Sequence, residues 1–173
     1  MLRHIEAFDL RLCRGLNRHL SLAGVREVFT IVSRLGDGII WYLLIVVMPL
    51  LPGSPGPVAA VRMALTGMVA TGLHAVLKFG LARERPFVTS PSIACGIAPL
   101  DRYSFPSGHT LHAVCFTTIA VESVPALAWL LVPFTILVMA SRVVLGVHYP
   151  SDVVVGAVLG LALAVASSAI FGA

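Results

Sequence analysis

The sequence predicts an all-α fold: a multi-pass membrane helical bundle of five to six transmembrane helices with an N-terminal amphipathic segment. Three observations carry that expectation. Of 173 residues, 58% are hydrophobic and only 12% are charged, against about 25% charged in a soluble domain; mean hydropathy is +0.95. The apolar residues gather into runs that approach the ~20 residues needed to cross a bilayer. Proline- and glycine-rich or polar segments separate those runs. The length fits one domain, so residues 1–173 read as a single membrane domain. Within it, 1–37 form an interfacial amphipathic segment and 38–173 the helical core.

Residues 4–20 set Ile5, Phe8, Leu12 and Leu16 at helical spacing, with arginines on much of the other face. That pattern suits a helix lying in the membrane interface; a helix packed on the domain is the alternative. Residues 22–35 are interrupted by Arg26-Glu27 and read as a second interfacial helix or a poor span. Residues 38–51 are the first clear apolar run, with Trp41 and Tyr42 as interface anchors. Residues 52–57 are a turn, and 58–77 a second span with Arg62 near its start. Residues 79–106 form a long polar connection containing four prolines, and such loops are usually functional. Spans three, four and five follow at 108–124, 126–141 and 151–171. Traced through these crossings, the segments 78–106 and 141–151 emerge on one face of the membrane. Glu122 and Arg62 fall at the other.

The net charge of +4 is unevenly spread. Six arginines precede residue 38, and four more cations lie between Lys78 and Arg102. The basic residues have no large solvated surface to occupy, so no nucleic acid is expected as a partner. Cys13, Cys95 and Cys115 lack metal-ligand spacing. The first 20 residues hold four arginines and no continuous apolar stretch, which does not read as a signal peptide.

Three short clusters carry the chemistry: Lys78-x6-Arg85-Pro86, Pro106-Ser107-Gly108-His109, and Ser141-Arg142-x5-His148-x3-Asp152. Lys78, the only lysine, and Arg85 stand seven residues apart. That is close to two helical turns, so one face of an extended helix end can present both to a phosphate. Snorkelling at the interface is the alternative. Ser107 suits a helix N-cap, and the free N–H groups behind it suit an anion. Gly108 would let a phosphate approach the backbone, with His109 beside it as a general acid; an ordinary cap is the alternative. Asp152, four residues after His148, can hold one imidazole nitrogen and leave the other free to attack. An interfacial His148 with Asp152 opposing a helix dipole is the alternative. His112 reads as packing between helices or lining the site, and His74 can face the same cavity. Arg83, Glu84, Asp101 and Arg102 read as solvated loop charges or a rim. No carboxylate cluster is visible to hold Mg²⁺, so neither metal nor cofactor is expected.

In order and spacing the three clusters resemble the signature of the type 2 phosphatidic acid phosphatase family. That family includes polyprenyl-pyrophosphate and phosphatidylglycerophosphate phosphatases and vanadium haloperoxidases. The resemblance is strict from Lys78 to Asp152 and looser through Ser33-Arg34-Leu35-Gly36-Asp37-Gly38. It implies metal-free hydrolysis of a lipid phosphate or pyrophosphate whose tail stays in the bilayer, with undecaprenyl pyrophosphate first and phosphatidylglycerophosphate or phosphatidic acid second. His148 would be the nucleophile and Asp152 its orienting group, with His109 protonating the leaving group. Lys78, Arg85, Ser107, Gly108 and Arg142 would bind phosphoryl oxygens. The implied location is a bacterial cytoplasmic membrane with an extracytoplasmic site. The arginine-rich N-terminus opposes that orientation, and a sixth span within 17–36 would relieve the conflict. A haloperoxidase-like protein is the alternative from a different class, opposed by five apolar runs in so short a chain. Oligomeric state is not legible.

Overall fold

The computed structural model describes residues 2–51 and 55–171, the first four of these by their backbone. Ile5, as part of the expected apolar stripe, and turn residues 52–54 lie outside the described side chains and residues. The described chain is helical with no strand: α1 (Leu2–Asn17), α2 (Val25–Arg34), α3 (Ile40–Val47), α4 (Gly56–Leu81), α5 (Pro86–Thr89), α6 (Gly108–Ser123), α7 (Ala128–Val144) and α8 (Pro150–Phe171).

The first crossing is longer than the 38–51 run. Val25–Leu50 is one apolar stretch long enough to span a bilayer, so the 37/38 boundary falls inside it. Arg26 and Glu27 do not interrupt this span because they occupy its first turn, where Arg26 Nε donates to the Gly96 carbonyl at 3.3 Å. Between α2 and α3 the helix kinks at Asp37 and at Gly38, whose φ of 126° is left-handed territory that favours glycine. A sixth span within 17–36 is not formed. Residues Arg18–Ser21 form a short 3-10 helix and 22–24 a turn, and Asn17 is pinned by hydrogen bonds to Ala94 and to the Val144 carbonyl.

Among the described residues four helical stretches are long and apolar enough to cross a membrane. Helix α6 has 16 residues, or about 24 Å at 1.5 Å per residue, and is the central helix, packed on α4, α7 and α8. Gly156 and Gly160 let α8 approach it backbone to backbone: a Cβ on Gly160 would lie 2.4 Å from the Leu111 carbonyl oxygen, and one on Gly156 2.7 Å from that of Ser107. This small-x3-small spacing is a recurrent way of packing membrane helices. On the far side of α6, Trp41, Met48, Met63, Phe116, Ile119, Leu131 and Val138 form the main apolar core.

Candidate active site

Lys78 stands in the last turn of α4. It does not share a helix with Arg85. Helix α4 ends at Leu81, Ala82 turns left-handed (φ 45°), and Arg85 is extended just before α5, as a residue preceding proline prefers. The two cations meet across this turn. Lys78 Nζ donates to Asp101 Oδ2 at 2.5 Å and Arg85 Nη2 to Asp101 Oδ1 at 2.8 Å. Asp101 is the only acidic residue between Glu84 and Glu122, which was the one sequence signal that could have singled it out. Burial pushes its carboxyl up, but the hydrogen bonds and charges of Lys78 and Arg85 outweigh that and hold it below the ordinary carboxylate range.

Arg142 stands in the last turn of α7 and is buried. Its Nη1 donates to Ser33 Oγ, while its Nε has no partner. The Arg142 carbonyl accepts from the backbone N–H groups of Val147 and His148, which fixes the loop into α8. His148 Nε2 lies 3.4 Å from Arg85 Nη1, and its Nδ1 lies 3.6 Å from Asp152 Oδ2. That second distance is long for a hydrogen bond, so the pair is aligned but not closed. Burial, then the charges of Arg142, Arg85 and Lys78, push His148 well below its ordinary 6.5 and keep the imidazole neutral. Asp152 is fully buried. Its Oδ2 accepts from the Tyr149 backbone N–H at 2.9 Å, and its Oδ1 from Arg83 Nη1 at 2.6 Å.

Ser107 caps α6, its hydroxyl accepting from the Thr110 N–H. Its own N–H donates to the Asp152 carbonyl at 3.1 Å and ties the starts of α6 and α8 together. His109 Nε2 lies 3.3 Å from Asp37 Oδ1 at the kink of the first span. A Cβ on Gly108 would meet His74 Nε2 at 2.8 Å, and His74 Nε2 is in turn 3.3 Å from Lys78 Nζ. His112 has both ring nitrogens engaged, with the Gly108 carbonyl and Thr71 Oγ1.

A cavity of about 680 Å³ joins these groups. Lys78, Arg85, Gly108, His109, Arg142 and His148 line it; Ser107 and Asp152 do not, standing behind the wall. His74, His112, Asp37 and Asp101 line it as well. Its other end is apolar, walled by Trp41, Ile45, Met63, Met68 and Phe116 from α3, α4 and α6. Asp37 and Ser33 come from the stretch that matched the signature only loosely. Among the described residues no group of three or more His, Cys, Asp or Glu is placed to hold a metal ion. Arg102 and Glu84 pair at the exposed rim at 2.7 Å.

An arrangement of three cations, a neutral histidine backed by a carboxylate and a second histidine can bind a phosphoryl group and displace its leaving group in line. Comparison with known proteins agrees. A decaprenylphosphoryl-5-phosphoribose phosphatase of Mycolicibacterium smegmatis is 41% identical over 83 residues, 47% of this chain and 43% of that protein; the match thus spans less than half of that relative. The undecaprenyl-diphosphatase of Sulfolobus acidocaldarius is 28% identical over 155 residues, 88% of this chain and 73% of its own length. Among solved structures, the PAP2-type phosphatidylglycerolphosphate phosphatase of Bacillus subtilis superposes with a TM-score of 0.80 at 24% identity, covering 96% of this chain and 86% of its own. LpxE of Aquifex aeolicus gives 0.81 at 26%, covering 91% and 93%. The PAP2 superfamily description matches residues 59–173, a stretch that contains all three clusters. The chain is a multi-pass membrane protein and belongs to the PAP2 superfamily.

Proposed function

We propose that this protein is a lipid phosphatase that hydrolyses a phosphate or pyrophosphate on a polyprenyl lipid without a metal ion. The carrying observation is the shape of one cavity. Its polar end holds His148 between Arg85 and Asp152, and its apolar end continues between α3, α4 and α6, where a lipid tail can remain. Polyprenyl chains are named in both relatives described above, and undecaprenyl pyrophosphate is the first substrate to test. The 41% identical relative favours a second reading, a phosphomonoester on a polyprenyl-linked sugar.

In this reading His148 Nε2 attacks phosphorus. The P–N bond forms as the bond to the leaving oxygen breaks, and His109 gives that oxygen its proton. Water, deprotonated by His109, then attacks the phosphohistidine and releases phosphate. Lys78, Arg85 and Arg142 take the place of a metal clamp on the phosphoryl oxygens, and Asp152 stabilises the imidazolium that forms. Ser107 and Gly108 shape the turn that positions His109.

The test is purified protein with excess EDTA, assayed on undecaprenyl pyrophosphate, phosphatidylglycerophosphate, phosphatidic acid and a polyprenyl-phosphosugar phosphate. Phosphate release in EDTA, and an acid-labile phosphoenzyme absent from His148→Ala, are expected. Complete loss in EDTA restored by Mg²⁺ refutes the mechanism. Halide oxidation with added vanadate would instead support the haloperoxidase alternative.

The family resemblance carries an extracytoplasmic site, which we adopt for a bacterial cytoplasmic membrane. The positive-inside rule opposes it, because Arg14, Arg26 and the site cations share one face and Arg62 is buried near the other. Cys95 decides: it is exposed on the site-face connection, and Cys13 and Cys115 are buried. Labelling of Cys95 in intact cells by an impermeant maleimide supports the external site; protection overturns it.

A further inference from the structure

Arg83 belongs to none of the three clusters, yet its guanidinium is held by three side chains and an aromatic ring. The left-handed turn at Ala82 sends it away from Arg85 and behind the catalytic wall. Its Nη1 donates to Asp152 Oδ1 at 2.6 Å and to Ser151 Oγ at 2.7 Å. Its Nη2 donates to Asp9 Oδ2 at 2.8 Å. Its guanidinium carbon stands 3.9 Å over the centre of the Tyr149 ring, a stacked geometry that further restricts it. Asp9, on the amphipathic helix α1, is 2% exposed. It also accepts from the Ser151 N–H at 3.0 Å and the Ser151 hydroxyl at 2.5 Å. Four groups therefore stand in a row: His148, Asp152, Arg83, Asp9.

The row has an unusual charge balance. Two buried carboxylates share one guanidinium, so behind a neutral His148 the network carries one net negative charge. A simple Arg83–Asp152 pair would be neutral and would offer little to a developing imidazolium. With Asp9 added, the network keeps a negative charge behind His148 that favours the imidazolium formed on attacking phosphorus, against the cations on its other side. Interactions that strengthen only in the transition state raise turnover rather than binding, and buried charges act at low dielectric, where they are strong.

We propose that Arg83 and Asp9 are positioning residues of the catalytic site: Arg83 fixes the carboxylate of Asp152, and Asp9 fixes Arg83 while restoring the negative charge that Arg83 would otherwise cancel. Helix α1 then supplies part of the catalytic electrostatics. This proposal rests on the phosphohistidine reading above, with His148 as nucleophile and Asp152 behind it.

The experiment uses the full chain in detergent with undecaprenyl pyrophosphate, or whichever lipid of the substrate panel turns over. Asp9→Asn keeps shape and hydrogen-bonding capacity and removes charge. Its kcat is expected to fall about tenfold to a hundredfold, the size found for the partners that orient metal ligands, with KM within about twofold. Arg83→Gln should lose at least as much, and Arg83→Lys should recover part of it. In an Asp152→Asn background, Asp9→Asn should change kcat by less than about twofold, since the charge it supplies acts through Asp152. Arg14→Gln is the structural control. It breaks another anchor of α1, the bond from Arg14 Nη2 to Ser90 Oγ, and should leave kcat unchanged. Wild-type kcat in Asp9→Asn overturns the proposal. So does an Arg14→Gln loss equal to that of Asp9→Asn, because docking of α1 would then be what matters. If Asp9→Asn does not fold, the Arg83→Gln and Arg83→Lys pair decides: equal kcat in the two overturns it. His148→Ala, assayed in parallel, separates the two levels. Activity surviving there removes the underlying mechanism, whereas its loss beside an active Asp9→Asn removes only the role of α1.

Discussion

Helix α4 carries a buried cation towards each end, and the two are held in different ways. Arg62, sixteen residues before Lys78 and so about 24 Å away along the axis, meets partners on other helices through Nε and Nη2, its Nη1 having none. It donates to Ser167 Oγ and Glu122 Oε2, each at 2.7 Å, to the Ala164 carbonyl at 2.8 Å, and to Ser168 Oγ. One cation meets one acid, and the acid stands on α6. Lys78 meets Asp101, an acid on a connection rather than a helix, which it shares with Arg85. Counting Arg142, three cations face Asp101 and Asp37 and open onto the cavity. A matched charge between helices serves packing. A surplus held by a loop-borne acid is available to a substrate.

The largest effects should separate these two roles in opposite directions. Arg142→Gln removes a cation that lines the cavity, and its turnover is expected to fall about 10²–10³-fold, as when one donor to a developing charge is lost, with little change in thermal unfolding. Glu122→Ala leaves Arg62 buried without its acid. Breaking such a pair typically costs about 3–5 kcal/mol, and the low end applies because Glu122 is itself partly exposed. The protein that remains folded should turn over at the wild-type rate. Scanning fluorimetry beside steady-state kinetics on both variants checks this. A stability loss in Arg142→Gln as large as in Glu122→Ala, or an activity loss of equal size in both, would dissolve the distinction.

The two ends also differed in how legible they were. The grouping of candidate residues on the site face could be read because its signature groups need fixed spacings along the chain: His148 and Asp152 within one helical turn, and Ser107 at a cap. Helix α6 and the starts of α7 and α8 followed from apolar runs and prolines. What escaped reading was contact between distant segments. Asp101 and Asp37 are single carboxylates, and apart from the isolation of Asp101 among acids nothing local distinguishes an acid that pairs with Lys78 or His109 from one that is solvated. Arg83 lies two residues from Arg85 and points elsewhere, because Ala82 adopts a left-handed turn that an alanine does not advertise. The first span was misjudged for a related reason. Arg26 and Glu27 look like an interruption in a linear scan, but the loop carbonyl at Gly96 receives Arg26 at the membrane face.

A smaller effect concerns the charge state of His148. Burial, and then the site cations, lower its pKa, whereas Arg62 is too far away to act on it. Isotope-labelled histidine, with the His148 resonance assigned by its absence in His148→Ala, should report a neutral ring at pH 6. In Arg142→Gln one of the lowering charges is gone, so the His148 pKa should rise towards 6.5. In Glu122→Ala it should not move. A His148 that titrates near 6.5 in the wild type would mean that the three cations are screened from it, and the surplus-charge picture of this face would fail.

The smallest expected effect is the most specific to the comparison. Asp101 occupies, between Lys78 and Arg85, the place that the proposed phosphoryl oxygens must take, so substrate and Asp101 compete for the same donors. Those two cations keep its carboxyl below the ordinary range, so it stays charged at any working pH and the competition does not titrate away. Asp101 is partly exposed, and its ion pairs are therefore of the weaker, water-screened kind, about 0.2–1 kcal/mol each. Asp101→Asn retains hydrogen-bonding capacity and removes the competing charge. Its KM, and the inhibition constant for inorganic phosphate, are expected to fall about two- to tenfold together, with kcat little changed. Glu122→Gln, the same chemical change at the other end of α4, should leave both constants alone, because no phosphate is proposed to bind there. A rise in KM for Asp101→Asn would show that the acid gathers the cations for the substrate instead of competing with it, and would make the two ends of α4 more alike than their partners suggest.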